Sequence, residues 1–240
     1  MTFAGFRPAT LRFFRGLARD NTKEWFEAHR ATYESEVKEP LRALVEELDV
    51  RLADIAPEIV GDTRRSPLRA RRDTRFTSDK SPYKTFAGCL LYHRGAGRSA
   101  AMRDNGGAAG FYFHLEPGAS LSAGGLWAPP RPTLYKVRDA IVADTRGFER
   151  VVGDDSFVQR FGRLYDGDDQ MLKRLPRGYS PGHPAERWLR YLSFIGERPL
   201  SDAEVTSPEL PDVLTADFAT LTPLVRWLNR VLGYRAAERR

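Results

Sequence analysis

The chain has one cysteine, six lysines against 32 arginines, and no apolar run approaching the ~20 residues a membrane span requires. A single thiol, Cys89, excludes an internal disulfide framework and fits a reducing compartment. Set in the apolar stretch "FAGCLLYH", it reads as a buried, inert thiol, because a nucleophilic cysteine needs an exposed, electropositive setting. The opening "MTFAGFRPATLRFF" lacks the basic head, apolar core and small-residue cleavage site of a secretory signal. These absences predict a soluble, cytoplasmic protein with no membrane partner. Also missing are HExxH, a Cys pair, GxSxG, a Walker A loop and GxGxxG. His29, His93, His114 and His183 lack metal-ligand spacing, so no metal site is assigned.

What is present is an ordinary globular composition, 41% apolar and 29% charged over 240 residues, enough for one substantial core. The first sixty residues carry helical periodicity. Leu11, Phe14, Leu17 and Ala18 share a face, Asn21 or Thr22 can cap a second helix, and Pro40 suits the first turn of a third. Trp25 and Phe26 read as core anchors. The period then shortens. "SPLRARRD" alternates apolar and cationic residues, while residues 86–93, 111–117 and "SLSAGGLWAPP" read as strands. Gly124 and Gly125 mark a bulge or a close backbone approach. "RGAGRSAAMRDNGGAAG" reads as a long mobile connection. Helical signals resume with "TLYKVRDAIVAD", "AERWLRYLSFI" and "LTPLVRWLNRVL", separated by the turn-rich "LPRGYSPGHP". This order predicts an α+β fold, a mainly antiparallel sheet flanked by N-terminal and C-terminal helices, in a single domain spanning 1–240, and it argues against a doubly wound sheet.

The basic charge is concentrated in one place. Between Arg64 and Lys84 lie eight cations against Asp73 and Asp79, a surplus equal to the net charge of the whole chain, +6. Two of the six lysines, Lys80 and Lys84, fall there although the composition otherwise prefers arginine. In "RRDTRFTSDKSPYKT", Asp73 and Thr74 can end the preceding strand in a side-chain-bonded turn, and Ser81-Pro82 fixes another. Phe76 is expected to anchor the loop by burial. Arg71, Arg72, Arg75, Lys80 and Lys84 would neutralise an anion, Asp73 and Asp79 would orient them, and Tyr83 would donate a hydrogen bond. Charge-assisted bonds of this kind suit phosphate or carboxylate. The alternative is that the same arginines pair with Asp73, Asp79 and helix carboxylates in a network that holds the fold.

The run "RDTRFTSDKSPYKT" resembles the signature of a widespread, mostly bacterial family, the domain of unknown function 2461 family. The opening "FRPATLRFFRGLARDNTKEWFEAHRATYESEVKEPLRAL", the strand "GFYFHLEPG" with "GGLWAPP", and "LPRGYSPGHPAERWL" are similar to it as well, so the resemblance covers roughly residues 6 to 230. It implies a single-domain α+β protein and transfers no activity. The glycine-rich segment 94–110 looks longer than the family's usual connection, and no function is placed there.

Other chemistry ranks lower. Tyr112, His114 and Glu116 share one face of a strand and could act as a general acid or base, although the polar side of a strand is the simpler account. Asp73 and Asp79 make a weak Mg²⁺ pair. Trp127, beside Pro129 and Pro130, could wall a pocket or stack on a ring, and is expected in the core. The sequence therefore predicts a basic site for a phosphorylated or carboxylated small molecule, with nucleic-acid binding and a purely structural arginine network as alternatives. It assigns no cofactor and no catalytic residue, and leaves catalysis open.

Overall fold

The computed structural model describes residues 3–75, 79–96, 107–167 and 170–237. The protein is α+β, with a five-stranded sheet in the order β1-β2-β3-β4-β5 and every neighbour antiparallel. The strands are β1 (Ile59–Val60), β2 (Ala87–His93), β3 (Gly110–Leu115), β4 (Ser120–Leu126) and β5 (Phe194–Leu200). Residues 97–106 of the glycine-rich connection lie outside the described residues, as does Phe76. Among the described residues, no helix is long and apolar enough to cross a membrane.

The helices are α1 (Pro8–Arg19), α2 (Lys23–Ala28), α3 (Arg30–Tyr33), α4 (Glu39–Ile55), α5 (Arg131–Ala143), α6 (Thr145–Val152), α7 (Asp155–Phe161), α8 (Glu186–Leu189), α9 (Asp202–Thr206) and α10 (Leu210–Val231). Thr22 is the cap of α2, its hydroxyl accepting from Trp25 N at 3.2 Å. A π-helical turn, Glu34–Lys38, joins α3 to α4 immediately before Pro40. Proline has no N–H for the regular i→i−4 ladder, and a widened turn there lets the chain continue.

One face of the sheet is the core. Phe111, Phe113 and Leu115 alternate inward from β3 and are fully buried, with Phe111 stacked on Phe218 of α10 at 4.7 Å. Gly124 brings α10 close: a Cβ there would sit 2.9 Å from Phe111 and 3.0 Å from Leu221. Gly125, at φ +129°, would place a Cβ 2.1 Å from the Phe194 carbonyl oxygen of β5. The expected close approach at this glycine pair is therefore present on both sides of the strand.

A charged knot lies beneath the sheet. Asp217 of α10 is 0% exposed and accepts from Ser122 at 2.5 Å, from Arg198 Nε at 3.2 Å and from Arg160. Ser122 and Arg198 are cross-strand partners, so the β4–β5 register assembles this site. The knot also explains a correction. The run "AERWLRYLSFI" is helical only over Glu186–Leu189, and Phe194 onward is strand β5. The inward positions of β5 are Phe194, Gly196, Arg198 and Leu200, and a glycine and an arginine erase the apolar alternation by which a strand is recognised. Phe26 is a core residue as expected, whereas Trp25 is only partly buried, stacked on His29 at 3.8 Å.

Candidate functional site

The basic motif begins as an extended strip against β2, with Leu68 N donating to Gly88 O at 2.8 Å and Leu90 N to Ser66 O at 3.0 Å. It then turns back on itself. Arg72 N donates to Pro82 O at 2.9 Å and Lys84 N to Ala70 O at 2.8 Å, so Arg71 faces Tyr83 across an antiparallel bridge. The alternating residues of "SPLRARRD" thus make isolated bridges rather than a full strand. Pro67 and Pro82 each remove a ladder donor, which keeps the pairing short.

The tip of this hairpin satisfies its own charges. Asp73 accepts from Arg75 Nε at 2.9 Å, Arg75 Nη2 at 2.7 Å and Arg75 N at 3.2 Å. These bonds, led by the guanidinium, hold its carboxyl down at about 2. Asp79 accepts from Ser81 Oγ at 2.7 Å and Ser81 N at 2.9 Å, and lies 3.1 Å from Arg72 Nη2. The Ser81 donors come first and Arg72 last among the causes that lower its pKa. Lys80 Nζ donates to Thr74 O at 2.8 Å. Lys84 lies with its Nζ 5.7 Å from the centre of the Phe86 ring.

Arg71 and Tyr83 are placed differently. Both line a cleft of about 340 Å³ between the helical run α2–α4 and the strip 63–71. Tyr83 is 2% exposed, stacked on Phe26 at 4.0 Å with the rings 5° from parallel. Asn21 fixes its backbone twice, donating from Nδ2 to Tyr83 O at 2.9 Å and accepting from Tyr83 N at 3.1 Å. The other cations of the cleft are Arg30, Lys38 and Arg42 from the helices and Arg64 and Arg69 from the strip. Arg30 pairs with Glu27 at 2.6 Å and Lys38 with Glu34 at 2.5 Å. Arg42, Arg64, Arg69 and Arg71 make no side-chain hydrogen bond or salt bridge among the described residues. Arg71 still acts through space on Glu27 and Arg64 on Asp62, adding to pKa values that hydrogen bonds from Arg30 and from Arg64 N already lower. Of the eight residues predicted for the site, the structure brings Arg71 and Tyr83 to this cleft. It ties Arg72, Asp73, Arg75, Asp79 and Lys80 into the loop and sets Lys84 beside Phe86.

A second concavity, about 430 Å³, lies on the sheet face opposite the core. Leu90, Tyr112, Ala123 and Glu197 form one row across it from β2 to β5. Tyr112 Oη lies 2.8 Å from His114 Nδ1, and His114 Nε2 lies 3.0 Å from Glu116 Oε2. The chain is satisfied when the tyrosine donates to the ring and the ring donates to the carboxylate. Burial raises the Tyr112 pKa and keeps its hydroxyl a donor. Glu197 has no hydrogen bond or ion pair among the described residues, and burial alone raises its pKa. Trp127, expected in the core, is 51% exposed and walls this concavity. Cys89 is fully buried, its thiol pushed up to about 12 by desolvation.

The class of protein these features define is a helix-backed antiparallel sheet with a basic cleft at one edge. A family model described as "Conserved hypothetical protein (DUF2461)" matches residues 9–227, and the chain belongs to that family. No curated protein and no solved structure matches it.

Sequence reasoning missed Arg30, Lys38 and Arg42, which come from helices about forty residues before the motif. The i, i+4 spacing of Lys38 and Arg42 was the one local signal that they share a helix face.

Proposed function

We propose that this protein binds a phosphorylated or carboxylated small molecule in the cleft between α2–α4 and residues 63–71. The observation that supports this reading is the convergence of Arg42, Arg64, Arg69 and Arg71 on one concave surface, none of them held in a side-chain hydrogen bond or salt bridge among the described residues. Guanidinium groups in that condition are ready to make paired, charge-assisted bonds to an oxyanion. Phe26, Tyr33 and Leu41 line the same cleft and suit the organic part of such a ligand. A cytoplasmic setting, where a lone thiol stays reduced, accords with this reading.

A second reading applies to the tip of the motif. The bonds Arg75–Asp73, Arg72–Asp79 and Lys80–Thr74 favour a structural role there, presenting Arg71 and Tyr83 rather than contacting the ligand.

Thermal-shift titration with inorganic phosphate, glucose 6-phosphate, citrate and a short oligonucleotide tests the proposal. A ligand at 100 times its Kd stabilises by about 2.7 kcal/mol, which raises Tm by several degrees. We expect one of the small anions to do so in the wild type and to lose most of that effect in Arg42→Ala/Arg71→Ala. An equal shift in both proteins, or no shift with any small anion, overturns it. A response to the oligonucleotide alone, falling steeply with salt, replaces it with nucleic-acid binding.

A further inference from the structure

On the far side of the sequence from the basic motif, helix α5 and the connection after residue 170 flank an open pocket of about 530 Å³. Five cations line it: Arg131 and Arg138 from α5, and Lys173, Arg174 and Arg177 from the connection. No aspartate or glutamate is among its lining residues. Asp139, next to Arg138 on the helix, accepts from Tyr179 Oη at 2.7 Å instead.

Arg138 is the telling residue. It is 2% exposed, its Nη2 donates to the Tyr191 carbonyl at 3.0 Å, and its Nε has no partner. Its guanidinium carbon lies 5.6 Å from the centre of the Tyr135 ring. Among the described residues no carboxylate pairs with it. Burying a guanidinium without a counter-ion is unfavourable, and the charge of Arg131 on the same helix adds to the cost. A fold that only needed a filled volume there would be served by leucine or methionine. An anion in the pocket relieves both the desolvation and the mutual repulsion.

We propose that this pocket is a second anion site, independent of the cleft at Arg71, and that it takes a polyanionic organic phosphate. Arg138 would meet one phosphoryl group from the buried side of the pocket. Lys173, Arg174 and Arg177 would close over the remaining charge from a segment stiffened by Pro176. The number of cations fits two or more phosphoryl groups better than one. Leu134, Leu172 and Leu192 form an apolar wall for the organic part. The turn-rich "LPRGYSPGHP" thereby acquires a use beyond connecting two elements.

Isothermal titration of the full chain with pyrophosphate and with ADP provides the test. Wild type is compared with Arg174→Ala/Arg177→Ala, whose side chains are exposed, with Arg138→Met, and with Arg69→Ala/Arg71→Ala. We expect saturable binding below about 1 mM that the first two variants weaken about tenfold or more; the third removes only what binds in the cleft at Arg71, so the site at Arg138 still saturates in it. Melting curves identify any loss that comes from unfolding, and the exposed double variant carries the test if Arg138→Met does not fold. The proposal is overturned if neither probe binds the wild type, or if Arg174→Ala/Arg177→Ala binds as well as wild type. It is also overturned if only Arg69→Ala/Arg71→Ala weakens binding, which places the ligand in the other cleft.

Discussion

Among the described residues, Asp217 and Arg138 are buried charges that the molecule treats in opposite ways. Beneath the sheet, Asp217 is surrounded by Ser122, Arg160 and Arg198, all within hydrogen-bonding distance. In the pocket beside α5, Arg138 has one carbonyl partner and shares the lining with four exposed cations. A buried ion whose partners are all supplied by the chain belongs to the architecture. A buried ion with few partners among the described residues leaves room for a ligand, which is the role proposed for Arg138. The number of arginines in a stretch of sequence does not separate these cases, but the inventory of counter-ions does.

The hardest test of this contrast is at Asp217. Asp217→Asn leaves Arg160 and Arg198 without their shared carboxylate, and urea unfolding should show a loss of about 3 kcal/mol. In a chain of this size that lowers Tm on the order of 10 °C. A loss below about 1 kcal/mol would break the comparison, since the knot would then be no more structural than a surface pair.

A smaller effect of opposite sign is expected at Glu197, a half-buried charge with no hydrogen bond or ion pair among the described residues. Burial raises its pKa in the folded state, so the folded protein holds a proton that the unfolded chain has released. Stability therefore falls as pH rises from the ordinary glutamate range to the raised value, and the penalty persists above it. Glu197→Gln should raise Tm by about 2 °C at pH 7, with the gain disappearing below about pH 4. A gain independent of pH would point to packing instead.

The smallest change is expected at the tip of the motif. Arg75 and Asp73 are exposed and pair with each other at the loop surface. Arg75→Ala should leave Tm within about 1 °C of wild type, because solvent and salt screen such pairs. A drop as large as that of Asp217→Asn would make the loop part of the framework.

Much of this architecture is legible in sequence where periodicity is clean. The alternation of Phe111, Phe113 and Leu115 and the stripe of Leu134, Val137 and Ile141 announce their elements, and both are found. Strand β5 is not legible because Arg198 turns inward to Asp217, a partner on another element that no local pattern reveals. The candidate site was legible in part for the same reason. Arg71 and Tyr83 stand in the motif, but the charges that complete their cleft come from helices distant in sequence. Whether Arg72 and Arg75 are free or paired depends on which way a tight turn points its carboxylates. Asp73 and Asp79 turned inward to the loop and neutralised the residues most conspicuous in the sequence.

Cys89 has a consequence of a different kind. It sits at the middle of β2, paired with Phe113 and sealed on both sides, and it is the chain's one thiol. A sulfur so placed meets an alkylating reagent only when the sheet itself comes apart. The rate at which the native protein takes up a single label is therefore a clock for the opening of its centre. Any molecule that seats itself in either basic cleft will slow that clock in proportion to how firmly it holds the protein closed.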